Sequence, residues 1–372
     1  MELVEFVKKD YLLIISAILA VISLFFVPFD VIVSYEYNRI LKTICILLCF
    51  ILIVAGLKEC KALNLLAQKT LKNIKTTTGL CFALIALPFF CAMLFSNDVA
   101  ILTFVPLSIA ILGMADMKWM MAVVIVLQSA AANIGSFLTP FGNPHNLYIF
   151  SLNDLYGFSL WDYEMALIPT VVIGALVLIC MVLLLPKKEI SMKSEDKIEL
   201  EHKGYLAVIM VLMAMSVITV LDIIPFYITV AILVAAFILM MPRIFLKIDY
   251  SILFIFFFLF VFANGMTNLD AVYQAIDGLM SADPLLTTVA FCQFTSNVPA
   301  TILLQPFTDD WAAVLVGADI GGFGTPIASM VNIIALKLYL SEEGTTIRGY
   351  IKPFVAINLI MLAILVPAYY LF

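Results

Sequence analysis

Two sixteen-residue segments, 131–146 (AANIGSFLTPFGNPHN) and 317–332 (GADIGGFGTPIASMVN), lie inside long apolar stretches yet are crowded with glycine, proline and polar residues. A continuous helix does not run through such a segment, because proline removes an amide donor and clashes with the preceding turn. At an offset of 186, Ala132, Ile134, Gly135, Phe137, Thr139, Pro140 and Asn146 coincide with Ala318, Ile320, Gly321, Phe323, Thr325, Pro326 and Asn332. Identities concentrated at glycines, prolines and polar residues exceed what shared hydrophobicity produces, so the chain holds two copies of one unit.

The surroundings of these breaks are lipid. The chain is 64% hydrophobic and 12% charged, with a mean hydropathy of +1.14, more apolar surface than a water-soluble domain can hide. About 20 apolar residues cross a bilayer as a helix. Nine spans are predicted near 11–29, 38–57, 117–150 (interrupted), 163–186, 205–221, 226–246, 250–268, 311–338 (interrupted) and 350–371.

Two further apolar stretches, 77–115 and 284–307, do not fit as ordinary spans. Residues 95–107 (FSNDVAILTFVPL) and 295–307 (TSNVPATILLQPF) match at an offset of 200, with Ser96, Asn97, Ala100 and Pro106 meeting Ser296, Asn297, Ala300 and Pro306. Between Asp283 and Ser296 the chain has room for roughly 18 Å of helix, short of a hydrocarbon core of about 30 Å. The segment 284–307 is therefore a re-entrant hairpin turning at Thr295-Ser296-Asn297. By the repeat, 77–115 is its counterpart, turning at Ser96-Asn97-Asp98, although its length also permits two full spans.

Charge sorting sets the orientation. With a cytoplasmic N-terminus and two hairpins, Lys8, Lys9, Lys58, Lys61, Lys69, Lys72, Lys75, Lys118, the five lysines between 187 and 203, Arg243, Lys247, Lys337, Arg348 and Lys352 all lie inside. Only Arg39 and Lys42 lie outside, together with Asp154, Asp162, Asp222, Asp270, Asp277, Asp283, Asp309 and Asp310. This is the positive-inside pattern of a multi-pass protein of the cell membrane, with its C-terminus outside. The arm before the first hairpin (58–75) is lysine-rich and the arm before the second (268–283) has three aspartates and no lysine. They fall on opposite sides, so the repeat is inverted, an arrangement found in secondary transporters. The first copy occupies 1–186, a cytoplasmic loop 187–204, and the second copy 205–372. The expected fold is an all-α polytopic membrane protein: an inverted repeat of about nine transmembrane helices, two of them discontinuous, with two re-entrant hairpins.

Hairpin tips and broken helices that meet at membrane depth are built for ions. Half-helix N-termini and amide or hydroxyl donors suit an anion; unwound carbonyls and half-helix C-termini suit Na⁺. Candidate substrate contacts are Ser96, Asn97, Asp98, Asn143, Ser296, Asn297 and Thr325. Candidates for cation or proton coupling are Asp98, Asp319, Asn133, Gly135, Thr139 and Gly321, with Na⁺ possible at Ser96, Asn97, Ser296 and Asn297. Asp98 and Asp319 are the carboxylates deep in these elements, and no basic residue of the predicted core pairs with either. A bound cation or a proton is the expected companion, the alternative being a carboxylate that caps a half-helix. The tip residues are ligands or turn formers. Asn146 and Asn332 are weaker candidates, and His145 is either a proton shuttle or a satisfied packing residue. Gln128, Gln293 and Gln305 line a path or bridge helices.

Other functions lack the residues. There is no GxSxG or HExxH, two histidines are too few for a metal cluster, and the seven cysteines sit in apolar runs as packing residues. An enzyme and a nucleic-acid partner are not expected, nor is a cofactor beyond Na⁺ as coupling ion.

At SND and SNV on the hairpin tips, at NIGSFLTPFGNPHN and at GADIGGFGTPIAS, the chain resembles the ion transporter superfamily. This group comprises divalent-anion–sodium symporters, citrate–metal permeases, arsenite-efflux pumps and NhaD-type sodium–proton antiporters. The resemblance covers residue 38 to the end. It implies a homodimer with a scaffold and a hairpin-bearing transport domain that moves its substrate by an elevator-like displacement. It implies sodium sites at Ser96, Asn97 and the carbonyls near Gly135, and at Ser296, Asn297 and those near Gly321, with substrate between the tips. The dicarboxylate branch has threonine after SN at both tips, where this chain has Asp98 and Val298. An ND tip and a GAD segment are similar to the arsenite and sodium–proton branches, whereas GNPHN resembles bacterial anion permeases. Two functions follow: a small-anion transporter driven by Na⁺ or H⁺, or a sodium–proton antiporter or arsenite-type efflux permease.

Overall fold

The computed structural model describes residues 11–28, 32, 35, 37–71, 74, 76–188 and 201–372, and among these the regular structure is helical. Lys8, Lys9, Lys72, Lys75, Lys193 and Lys197, used in the charge argument, lie outside the described residues. In the first half, α1 (Tyr11–Leu24) and α2 (Tyr37–Glu59) are followed by the arm α3 (Ala62–Leu71) and the hairpin of α4 (Thr77–Leu94) and α5 (Asn97–Met114). The broken span is α6 (Met121–Phe137) and α7 (Pro144–Phe150). A short α8 (Asn153–Tyr156) leads to α9 (Leu160–Leu183). In the second half, α10 (Lys203–Val220), α11 (Phe226–Met240) and α12 (Ser251–Met266) precede the arm α13 (Asp270–Ala282). Then come the hairpin of α14 (Pro284–Thr295) and α15 (Asn297–Leu304), the broken span of α16 (Trp311–Gly321) and α17 (Met330–Leu340), and α18 (Ile347–Tyr369). Seven of the described helices are long and apolar enough to cross a membrane, and several more are shorter and apolar. The protein is a polytopic, all-helical membrane protein.

Local chemistry accounts for the boundaries. Thr76 caps α4 by accepting from the Gly79 amide, Asp283 caps α14 and Asp310 caps α16. Ser159 and Asp162 form a capping box at the start of α9. The span expected over 226–246 is α-helical only to Met240, because Pro242 cannot continue it and a 3₁₀ turn, Pro242–Leu246, takes over.

Contacts between helix ends and loops fall into two sets, and each matches one predicted face of the membrane. On one face, Lys118 pairs with Glu342 at 2.8 Å, Lys247 with Glu59 at 2.5 Å, Lys61 with Glu201, and Thr77 donates to the Pro186 carbonyl. Lys61 beside Glu201 holds that exposed carboxyl below its ordinary range. On the other face, Lys42 pairs with Asp222 at 2.5 Å, Tyr370 donates to Asp283, Phe158 stacks on Trp311, and Gln305 donates to Tyr156. Both ends of 77–115 belong to the first set and both ends of 284–307 to the second. Each is therefore a helical hairpin whose two ends return to one face, and α4 and α5 are each long enough to cross a membrane, whereas α14 and α15 are shorter.

Inside each half the inbound hairpin helix packs backbone to backbone on the broken span, and a glycine makes the approach possible. A Cβ on Gly135 of α6 would stand 2.0 Å from the Phe89 carbonyl oxygen of α4. The equivalent Gly321 of α16 lies against α14, where a Cβ would stand 2.6 Å from Cys292 Sγ. The outer helices are lipid-facing by composition and exposure. Of α11 only Thr229, Leu233 and Phe237 are buried, while Leu239 and Tyr227 are exposed, which in a bilayer carries no hydrophobic penalty.

Candidate functional site

Each hairpin tip docks on the break of its own half. The backbone N–H of Asn97 donates to the Gly142 carbonyl at 3.2 Å, and that of Asn297 to the Ala328 carbonyl at 2.9 Å. These pairs are related by the repeat at both ends. So are the hydroxyl bonds from Thr139 to the Met93 carbonyl (2.6 Å) and from Thr325 to the Gln293 carbonyl (2.9 Å). So, too, are the amide bonds that close the unwound loops, from Asn146 to the Ser136 carbonyl (3.2 Å) and from Asn332 to that of Gly322 (3.0 Å). Conserving backbone donors and acceptors at membrane depth is required, since lipid offers none. Thr139, Thr325, Asn146 and Asn332 therefore hold the breaks open.

The two breaks also meet each other. Ser129 donates to the Asn332 side-chain oxygen at 2.7 Å and Ser329 to that of Asn133 at 3.2 Å, while Phe137 packs edge-on against Phe323. Asn133 also accepts from the Asn97 carboxamide at 3.2 Å, linking a hairpin tip to the centre. Beside it, His145 Nε2 lies 3.0 Å from Asp319 Oδ1, and both side chains are 0% exposed. Tyr163, fully buried, adjoins Asp319 as well. Around this centre Asn133 Nδ2, Asn143 Nδ2, His145 Nδ1, Asn146 Oδ1 and Asp319 Oδ2 are buried with no hydrogen-bond partner among the described residues. Buried polar atoms are ordinarily satisfied, so unmet hydrogen-bonding capacity is concentrated at this centre.

The expectation that neither deep carboxylate has a basic companion is corrected at Asp319. Asp319 is paired to His145, which the sequence places 174 residues away. Asp98, half-buried in the first turn of α5, forms no ion pair among the described residues. Asp98 also sits where the positive end of the α5 dipole favours a carboxylate.

The remaining candidates separate. Asn97, Asn133, Asn143 and Asn297 are buried near the breaks, and Gly135 and Gly321 are the close-packing points. Ser96 forms no side-chain cap, and Ser296 reaches only its neighbour Asn297 at 3.4 Å, so in this conformation the two serines shape the turns. The turns differ: Ser296 has φ 74°, ψ 155°, a region natural to glycine, whereas Ser96 is extended. Gln128 bridges helices, donating to Leu84 O at 2.7 Å and Ser108 at 2.8 Å. Gln305 joins Tyr148 and Tyr156. Ser129 and Ser329 were not singled out by sequence; their positions one helical turn before Asn133 and three residues before Asn332 were the available signal.

A lipid-embedded helical protein whose paired hairpins and paired broken helices close on a buried polar centre belongs to the class of membrane transporters. The profile of the citrate transporter family (CitMHS) matches residues 8–317, and the chain belongs to that family. It is similar to the uncharacterized transporter MJ0456 of Methanocaldococcus jannaschii, at 31% identity over 302 residues covering 80% of each chain. It is also similar to the inner membrane protein YbiR of Escherichia coli, at 28% identity over 318 residues covering 84% of each chain.

Proposed function

We propose that the protein is a secondary active transporter of a small anion, a carboxylate or an inorganic oxyanion, coupled to Na⁺ or H⁺. The observation that carries this reading is the convergence of both tips and both breaks on one buried polar centre that spans the two halves. Asn97, Asn143, Asn297 and the N-terminus of α7 supply neutral donors for an anion there, and family membership makes carboxylates the first candidates. Carbonyls at the ends of α6 and α16 suit a hard cation. The donor set fits Na⁺ at least in the first half, where the buried Gly135 carbonyl receives no hydrogen bond from any described residue. Movement of the hairpin-bearing unit against the lipid-facing helices, in a homodimer with a cytoplasmic N-terminus, is the mechanism we assign to the halves 1–186 and 205–372.

A second reading rests on the His145–Asp319 pair. A buried acid and imidazole 3.0 Å apart are able to exchange a proton for a cation, as a sodium–proton antiporter requires. One experiment separates the two. Proteoliposomes loaded with a pH dye receive Na⁺ alone, then Na⁺ with citrate, other carboxylates, phosphate, sulfate or arsenite. Uptake that requires one of the anions is the expected result; proton movement with Na⁺ alone rejects the anion reading in favour of the antiporter.

A further inference from the structure

The two halves differ at a residue that faces the break. Position 293 is glutamine, and its repeat equivalent is Met93. The Gln293 carboxamide nitrogen donates to two carbonyls at once, Gly321 O at 3.1 Å and Phe323 O at 3.0 Å, while its oxygen accepts from the Thr325 N–H at 2.9 Å. Two carbonyls at the C-terminal end of a half-helix therefore converge on a single point, and an amide of this chain occupies that point. The seat is built for it. Gly324 has φ 111°, and a Cβ there would lie 2.2 Å from the Gln293 oxygen, so glycine provides both the backbone turn and the space.

The same point in the first half has no such donor. Its carbonyls are those of Gly135 and Phe137, and a methionine side chain has no N–H to offer. Leu138 and Thr139 do not bond back to the Gly135 carbonyl, Pro140 has no N–H, and no side chain among the described residues reaches it. The Phe137 carbonyl has only the Asn146 and Tyr163 donors, at 3.4 and 3.5 Å. A buried carbonyl at the negative end of a helix dipole within a bilayer calls for a hydrogen-bond donor or a cation. Charge follows the same division: the tip residue after the asparagine is Asp98 in the first half and Val298 in the second.

We propose, building on the cation-coupled reading above, that the Gln293 carboxamide takes the place of a coupling cation in the second half. The chain then binds one hard monovalent cation, at the Gly135 and Phe137 carbonyls of the first. Neutral carbonyl oxygens suit a single positive charge. Coupling in this protein is then carried by one half, while the other keeps its break in the same shape with a tethered donor that never dissociates.

The test is equilibrium binding of radioactive Na⁺ to the full-length protein in detergent, with choline chloride holding the ionic strength constant. Wild type should bind about one Na⁺ per chain, Gln293→Met about two, and Met93→Gln none. Thermal unfolding in choline alone reports whether each variant is folded. Two Na⁺ on the wild type overturn this inference and leave cation coupling intact. No Na⁺ on the wild type overturns it together with Na⁺ coupling. A Gln293→Met protein that still binds one, or a folded Met93→Gln protein that also binds one, overturns the assignment of the Gln293 seat as a cation surrogate. If Met93→Gln does not fold, the Gln293→Met count decides alone.

Discussion

Replacing His145 and Asp319 by their repeat equivalents, Val331 and Asn133, tests whether the centre is held by a buried pair. His145→Val alone leaves Asp319 fully buried with Oδ1 unpaired, in addition to Oδ2, which already lacks a partner. Removing one member of a buried pair costs about 3–5 kcal/mol, chiefly through the charge left behind. Asp319→Asn alone keeps a neutral acceptor near the imidazole, and should cost about 1–3 kcal/mol, the range for an impaired buried hydrogen bond. The double variant gives both faces of the centre the same Asn–Val composition and removes the charge and its partner together, so most of the loss should be recovered. The expected coupling energy is about 2–4 kcal/mol, read from equilibrium unfolding of all four proteins in mixed micelles of SDS and a mild detergent. Losses that add to within about 0.5 kcal/mol would mean that the 3.0 Å contact contributes nothing specific, and the buried-pair argument would fall.

Other expectations follow from packing and backbone geometry. Gly135→Ala places a methyl 2.0 Å from a backbone oxygen, whereas Gly174→Ala meets the movable Ile134 side chain at 2.5 Å; the first should abolish the monodisperse peak in size exclusion and the second only lower the melting temperature. Thr139→Val and Thr325→Val each remove one hydrogen bond from a hairpin carbonyl and should cost about 1 kcal/mol apiece; a loss at only one site would contradict the equivalence of the two tips. Ser296→Gly should stabilise the fold by about 1 kcal/mol or more by relieving a positive φ, while Ser96→Gly should not, with melting temperatures as the measure. Single cysteines at 309 and 343 in a cysteine-free background should react with a membrane-impermeant maleimide from opposite faces, 309 from outside; the same face for both would refute the topology.

Much of the architecture was legible because lipid is a strict solvent. Spans declare themselves by uninterrupted apolar length. The breaks at 133–144 and 317–326 declare themselves because glycine, proline and amide residues have no other reason to occupy such depth. The inverted sense is the expectation drawn from lysines and aspartates on the two arms, and these ion pairs join residues that the sorting puts on the same face. The repeat also predicted the tip-to-break contacts, since Thr139 with Met93 and Thr325 with Gln293 are the same bond made twice.

What tertiary structure alone decided lies where the copies cross. Asp319 meets His145, and Ser129 meets Asn332, across the boundary between halves. No internal alignment reveals such pairs, because each residue's equivalent in the other copy is a different chemical type or faces its own half. Gln293 was one of three undecided glutamines until its amide was seen bridging two carbonyls. The sequence determined that the chain breaks twice inside the membrane. Only the packed structure decided that Gln293 bridges the carbonyls of the second break, while the Gly135 carbonyl of the first has no donor among the described residues.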